Sequence, residues 1–297
     1  MPGAACAPQR SLGVMALTRK EPQVRLNVTY FRQQKERGSP IVMLTAYDAT
    51  SARLAEQAGI QVLLVGDTLG MVVQGHDTTL PVTLDEMLYH THLVVRGTEQ
   101  AFVVGDMPFM TYNLSAEQAL ENAARFLQQA GAQSVKLEGG RHMASTIGRL
   151  TDNGIPVMAH IGLTPQSVYR LGGWRVQGRT AADAARLLDD ARAVADAGAY
   201  AVVLELVPAE LATLISQRLN IPTIGIGAGP GCDGQVQVWH DILGLYEPFV
   251  PKHTRQYAQL GGAIREALAA YKTEVEQRRF PTAVHAASID AALLAGL

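Results

Sequence analysis

Cysteine is almost missing from this 297-residue chain: only Cys6 and Cys232 occur. Two thiols, one of them near the N-terminus, build neither a disulfide framework nor a cysteine zinc site, and they suit a reducing cytoplasm. Aromatic residues make up only 6% of the chain, and no apolar run approaches the ~18 residues of a membrane-spanning helix. The short apolar stretch 13–17, preceded by Arg10, has neither the length nor the flanks of a signal peptide, so no export is expected. An excess of one charge is missing too. Lys and Arg number 25 against 27 Asp and Glu, a net charge of −2 with the signs interspersed. No basic stripe is left to neutralise phosphates, which argues against a nucleic-acid partner and favours a small molecule.

What is present is core-forming material. The chain is 47% hydrophobic and 18% charged, which is a globular composition. Residues 1–24 carry Pro2, Pro8 and Pro22 without a sustained period and read as a loose N-terminal extension; 25–297 read as one domain. After a predicted helix over 28–37, strand-length apolar runs recur at 41–47, 62–66, 101–105, 134–137, 156–160, 201–204, 222–226 and, less clearly, 236–240. Several are apolar throughout rather than alternating, as strands buried on both faces of a parallel sheet require. Amphipathic helices stand between them: Ser115 and Gln118 spell a capping box with Gly131 as the stop, and Thr180 with Asp183 opens a helix that Gly198 ends. Repetition of this unit without a linker predicts an α/β fold, a single (β/α)8 TIM barrel, over its rival, an open doubly wound sheet.

In such barrels the chemistry gathers at the C-terminal ends of the strands. Read in order, those ends carry Asp48, Asp67, Asp106, Glu138, His160 and Glu205, followed by a glycine-rich loop at 225–229 and by His240. Asp48 stands directly before a helical stretch and reads as its N-cap. Asp67 and Asp106 precede segments that do not open as helices, so capping does not explain them. Three carboxylates at a low-dielectric mouth repel one another unless something positive lies among them; magnesium, a hard ion that takes oxygen ligands, answers this with one or two direct carboxylates. Lys136 lies two residues before Glu138, so both point to one face of a strand, and a lysine there offsets negative charge and donates to a substrate carboxylate or enolate oxygen. Glu205 ends its strand among apolar neighbours and is the expected general base. His90 and His92 lie two apart, on different helix faces, and read as structural; His160 either orients substrate or satisfies a carboxylate. The string 229–234 matches GxGxxG but contains a proline and runs into no clear helix, so a tight loop with close backbone approach to a ligand is the better reading.

Several strings together resemble the ketopantoate hydroxymethyltransferase family: Leu44-Thr45-Ala46-Tyr47-Asp48, Val65-Gly66-Asp67-Thr68-Leu69-Gly70, Gln74 to Thr83, Val135-Lys136-Leu137-Glu138-Gly139-Gly140 and His160-Ile161-Gly162-Leu163-Thr164-Pro165-Gln166. The likeness continues through Gly172-Gly173, 176–179, Leu204-Glu205 and 225–229, and spans roughly 25–285. It implies a cytoplasmic enzyme of pantothenate biosynthesis that moves a one-carbon unit from 5,10-methylenetetrahydrofolate onto 3-methyl-2-oxobutanoate through a magnesium-stabilised enolate. By the same resemblance Asp67 and Asp106 are magnesium ligands with Glu138 a third, more distant one. Asp67, Thr68, Asp106 and Lys136 bind the keto acid, and Glu205 is the proton acceptor. A homo-oligomer, a decamer, is implied, with 280–285 near an interface or the site mouth. One departure stands out: Thr68 occupies a position where the family usually has Ser, keeping the hydroxyl and adding a methyl. Two rivals are a magnesium-dependent carbon–carbon lyase or phosphonomutase of the isocitrate lyase type, which would want a nucleophile-bearing or cysteine-bearing loop, and a non-catalytic binding or scaffold barrel, in which Lys136, Glu138 and Glu205 would have no reason to face inward.

Overall fold

The computed structural model describes residues 24–246 and 249–295, so the expected N-terminal extension, Val24 apart, lies outside the described residues. Eight strands pair in chain order, all parallel: β1 Ile41–Thr45, β2 Val62–Val65, β3 Phe102–Asp106, β4 Ser134–Glu138, β5 Val157–Gly162, β6 Ala201–Glu205, β7 Thr223–Ile226 and β8 Gly234–Gln237. β8 pairs with β1 and closes the barrel. The helices used below are α1 Thr29–Arg37, α2 Ala49–Gln57, α3 Leu69–Val72, α4 Leu84–Arg96, α5 Ala116–Gln128, α6 Ala144–Asp152, α7 Val168–Leu171, α8 Ala181–Asp196, α9 Ala209–Arg218, α10 Trp239–Ile242 and α11 Leu260–Glu276.

Their ends follow the sequence with two adjustments. Asp48 caps α2, accepting from the Thr50 and Ser51 N–H groups. Ser115 accepts from Gln118 N–H at the start of α5, but the Gln118 side chain turns to Leu114 N–H, so the box is not reciprocal. The eighth strand lies earlier than expected, at Gly234–Gln237, and Trp239 already opens α10. Its outward Gln235 is exposed, so this strand alternates, and a search for continuous apolar residues slides past its beginning. The glycine-rich return from β7 to β8 holds no helix, and its close approach is to α9: a Cβ on Gly229 would lie 2.4 Å from Ala209, and one on Gly231 2.0 Å from Thr213 Oγ1. Packing on α9 accounts for the small size of Gly229 and Gly231.

Strand parity divides the core in two. Ile41, Met43, Val62, Leu64, Phe102, Val104, Met158, Val203, Ile224 and Val236 point into the barrel. Their neighbours, among them Leu63, Val103, Val135, Leu137, Val157, Val202 and Leu204, pack outward against the helices. α1 plugs the N-terminal end: Phe31 is fully buried, its ring 5.1 Å from Phe102 and 4.8 Å from Tyr200. Full burial of one such side chain contributes about 1.5–3 kcal/mol. The same parity, carried two residues further along each strand, turns Thr45, Asp106, Lys136, Glu138, His160 and Glu205 inward at the opposite end.

Candidate active site

Register decides which of these side chains meet. Asp106 of β3 is aligned with Lys136 of β4, and Glu138 of β4 with His160 of β5. Lys136 Nζ accordingly lies 2.8 Å from Asp106 Oδ1. His160 Nδ1 is 3.5 Å from Glu138 Oε1, and its Nε2 is 3.3 Å from Glu205 Oε2. Two glycines permit the fit. A Cβ at Gly105 would strike Phe126 of α5 at 2.4 Å, and Gly162, at φ +94°, leaves room for the Glu205 carbonyl, which a Cβ would meet at 2.3 Å. Leu206, directly after Glu205, holds φ 46°, a costly region for a branched residue. Hydrogen bonds from Leu206 N–H to Ile226 and from Gln177 N–H to the Leu206 carbonyl secure it, so the chain leaves Glu205 in a fixed direction.

Asp67 arrives from the β2 end, where its N–H donates to Asp106 Oδ2 at 3.3 Å. The segment after it, contrary to the sequence reading, does form a helix, the four-residue α3. That helix does not use the Asp67 side chain: Thr68 stands at its N-cap with its hydroxyl uncommitted to capping. Asp106 is followed by irregular chain until α5, as expected.

Two residues that the sequence reading gave no role tie the cluster together. Gln166, buried in the loop after β5, donates from Nε2 to Asp67 Oδ2 at 2.9 Å and from its backbone N–H to Glu138 Oε2 at 3.0 Å. Tyr112 donates to Gln166 Oε1 at 2.5 Å and accepts from the Glu138 N–H at 3.2 Å. Gln166 belongs to the 160–166 string, but only the fold brings it across 99 residues to Asp67. His160 lies between the Glu138 and Glu205 carboxylates, with Lys136 Nζ 3.3 Å from its Nδ1.

The electrostatics are those of a crowded, dry site. Burial raises the Asp67 pKa well above its ordinary value, helped by Asp106 and Glu138 and opposed by Lys136 and Gln166. Burial also raises Asp106, with Lys136 pulling the other way. For Lys136 burial favours the neutral amine, but Asp106, Glu138 and Asp67 outweigh it and the net shift is upward. Burial and Lys136 press down on His160, yet the contacts with the Glu138 and Glu205 carboxylates outweigh them and lift it to about 9.

Oxygen donors dominate and negative charge is in excess. By formal count the four carboxylates of Asp67, Asp106, Glu138 and Glu205 face two basic side chains, Lys136 and His160, and a divalent cation would balance the remainder. Asp106 Oδ1, Glu138 Oε1 and His160 Nε2 are buried with ion-pair contacts but no hydrogen bond of good geometry. The paired carboxylates of Asp67 and Asp106 therefore fit magnesium, which needs only one or two of them. Among the described residues no group of three or more His, Cys, Asp or Glu is arranged to hold a metal ion by itself.

A sequence profile described as ketopantoate hydroxymethyltransferase matches residues 25–283. The chain belongs to that family. A 3-methyl-2-oxobutanoate hydroxymethyltransferase of Chloroflexus aurantiacus is 59% identical over 272 residues, covering 92% of this chain and 96% of that protein. One of Carboxydothermus hydrogenoformans is 55% identical, covering 88% and 95%. Among solved structures, a phosphoenolpyruvate phosphomutase from Streptomyces platensis superposes with a TM-score of 0.56 at 17% identity over 85% of this chain and 88% of that one. A 2,3-dimethylmalate lyase of the PEP mutase/isocitrate lyase superfamily gives 0.54 at 19% over 84% and 87%. Those two share the fold; the family membership sets aside the lyase and phosphonomutase reading of the reaction.

Proposed function

We propose that the buried cluster at the C-terminal mouth of the barrel is where this chain performs the reaction of its family, hydroxymethyl transfer to 3-methyl-2-oxobutanoate in pantothenate biosynthesis. The donor is 5,10-methylenetetrahydrofolate and the product 2-dehydropantoate. The observation that carries the reading is the meeting of Asp67, Asp106, Lys136, Glu138 and Glu205, from four separate stretches of chain, around His160 and Gln166.

Asp67 and Asp106 would hold Mg2+ directly, and Glu138, already engaged by Gln166, would reach it through water. Bound there, the cation supplies Lewis-acid stabilisation of negative charge on the keto oxygen. Asp67, Thr68, Asp106 and Lys136 bind the keto acid: the Thr68 hydroxyl donates, and Lys136 offsets the substrate carboxylate. Glu205 accepts the C3 proton on the oxygen not facing His160. His160 and the Leu206 backbone fix that carboxylate in place. The donor's two C–N bonds to its methylene carbon break, one as C3 of the enolate bonds to that carbon and the other as water supplies the hydroxyl, so tetrahydrofolate leaves carrying the proton taken from C3 and one from water. A positioned base contributes about 10²–10⁴-fold, so stabilisation of the enolate charge supplies much of the remainder.

Exchange of the C3 proton of 3-methyl-2-oxobutanoate with deuterated water tests the assignment without the donor. Glu205→Gln binds keto acid and Mg2+ but loses exchange; retained exchange removes Glu205 from its role.

The catalytic unit is assigned to 25–297 as one (β/α)8 domain working in the cytoplasm as a homo-oligomer, with the decamer implied by family resemblance as its size. α11 supports assembly: Leu260, Ile264, Leu268, Tyr271 and Val275 repeat along it and are 39% to 61% exposed. Phe280, at the start of 280–285, packs back on this helix through Tyr271. Among the described residues no helix is long and apolar enough to cross a membrane.

A further inference from the structure

We propose that a second cavity at the barrel mouth, between the ends of β1 and β8 and helix α3, receives the pterin head of the one-carbon donor; this rests on the hydroxymethyl-transfer reading above. The cavity encloses about 300 Å³. That volume is at the lower end of the range for small-molecule sites, about 300–1,000 Å³. A smaller cavity at this end, beside Glu138, Gln166 and Arg170, has about 60 Å³. It has room for about two waters at roughly 30 Å³ each, which is too little for a bicyclic ring.

Position is the first argument. Tyr47 and Asp48 follow β1, Val72 and Val73 end the short helix that starts after Asp67 and Thr68, and Trp239 and His240 open α10 beyond β8. All are at the C-terminal ends of strands, on the face that holds the carboxylate cluster. Tyr47 is the common wall. Its ring lies 5.4 Å from that of His240, while its buried hydroxyl faces Thr68 and the Asp67 charge. A ligand in this cavity is therefore one side chain from the keto-acid site. The donor needs this closeness, because its transferable methylene sits at the edge of the ring system and must reach C3 of the keto acid.

Chemistry is the second. Tyr47, His90, Trp239 and His240 offer four aromatic rings, and Val72 and Val73 add apolar surface, a lining suited to stacking a flat heterocycle. His90 is held in place by a 2.6 Å contact to the Tyr47 carbonyl. His240 Nδ1 is buried without a hydrogen-bond partner. Such atoms cost free energy unless a ligand or water satisfies them, and a pterin edge presents both N–H donors and ring acceptors. Burial lowers the His240 pKa against the opposing pull of Asp48, so the imidazole is neutral and donates at one nitrogen while accepting at the other.

Two variants test this in the Mg2+-loaded enzyme. Val73 is 46% exposed, so Val73→Trp fills the cavity from its rim with little strain on the fold. His240→Ala removes an unsatisfied polar group. Calorimetric titration with tetrahydrofolate should show affinity falling about tenfold for Val73→Trp and about threefold for His240→Ala. C3 proton exchange of 3-methyl-2-oxobutanoate should stay within about twofold of wild type in both, since neither residue touches the cluster. Unchanged tetrahydrofolate affinity in both variants overturns the proposal, as does a parallel loss of exchange and tetrahydrofolate binding. Wild-type protein whose tetrahydrofolate binding responds to Val73→Trp but which shows no C3 exchange would instead break the reaction reading, while leaving the occupant of the cavity as proposed.

Discussion

The two ends of the barrel are built by the same eight strands with the same inward parity, yet they are opposite in character. At the N-terminal end Tyr30, Phe31, Phe102 and Tyr200 stack edge to face beneath α1. The nearby Lys35–Asp233 ion pair is 2.7 Å long and partly solvated. At the C-terminal end Asp67, Asp106, Lys136, Glu138 and His160 are all 5% exposed or less, and their charges do not sum to zero. One end gains free energy from burial, and the other holds ionisable groups that burial penalises. Stability and chemistry are thus separated along each strand by two or three residues, and substitutions at the two ends should fail in different ways.

The largest contrast is expected from Glu205→Gln, which should lower the transfer rate by about 10²–10⁴-fold in a steady-state assay while leaving the urea midpoint nearly unchanged. Phe31→Ala at the plug should do the reverse, costing about 3–5 kcal/mol of unfolding free energy in urea titration, with kcat per folded molecule close to wild type. Gln166→Ala should fall between them. It removes the bond from Nε2 to Asp67 without touching substrate, and should weaken Mg2+ binding by about 10–100-fold, as loss of a supporting hydrogen bond at a metal site commonly does.

The smallest effect concerns pH. In metal-free protein the raised Asp67 and Asp106 pKa values mean that the folded state holds protons which the unfolded chain releases near 3.8, so stability is lost as pH rises above that value. His160 has the same sign in a higher window: lifted from 6.5 to about 9, its contribution is complete below 6.5 and fades as pH rises through 9. Magnesium compensates ionised carboxylates only, so the Tm gain on adding Mg2+ should grow as pH rises above the ordinary carboxylate range, followed by differential scanning fluorimetry. A gain independent of pH would contradict the assignment of Asp67 and Asp106.

This contrast also bears on what the sequence could tell. Both ends are periodic, and parity alone predicts that Lys136 and Glu138 share a face. The barrel was legible because strands buried on both sides are continuous in apolar residues, and β8 was misplaced because Gln235 faces solvent on the barrel's outer side. Asp48 was legible as a cap because capping is local. Gln166 and Tyr112 were not, since an amide and a phenol in loops acquire meaning only through partners many residues away. The ion pair of Lys136 with Asp106 rather than with Glu138 follows from strand register, which a single sequence does not state. His240, expected at a strand end, opens a helix and lines the neighbouring cavity instead.

The central claim is that Asp67 and Asp106 make keto-acid binding depend on a divalent cation. Calorimetric titration of 3-methyl-2-oxobutanoate into wild-type protein, with Mg2+ and after its removal by chelation, tests it most directly. Binding should be strong with Mg2+, weakened by at least about tenfold without it, and weak in both conditions for Asp106→Asn. Keto-acid affinity that is the same with and without the cation would contradict it.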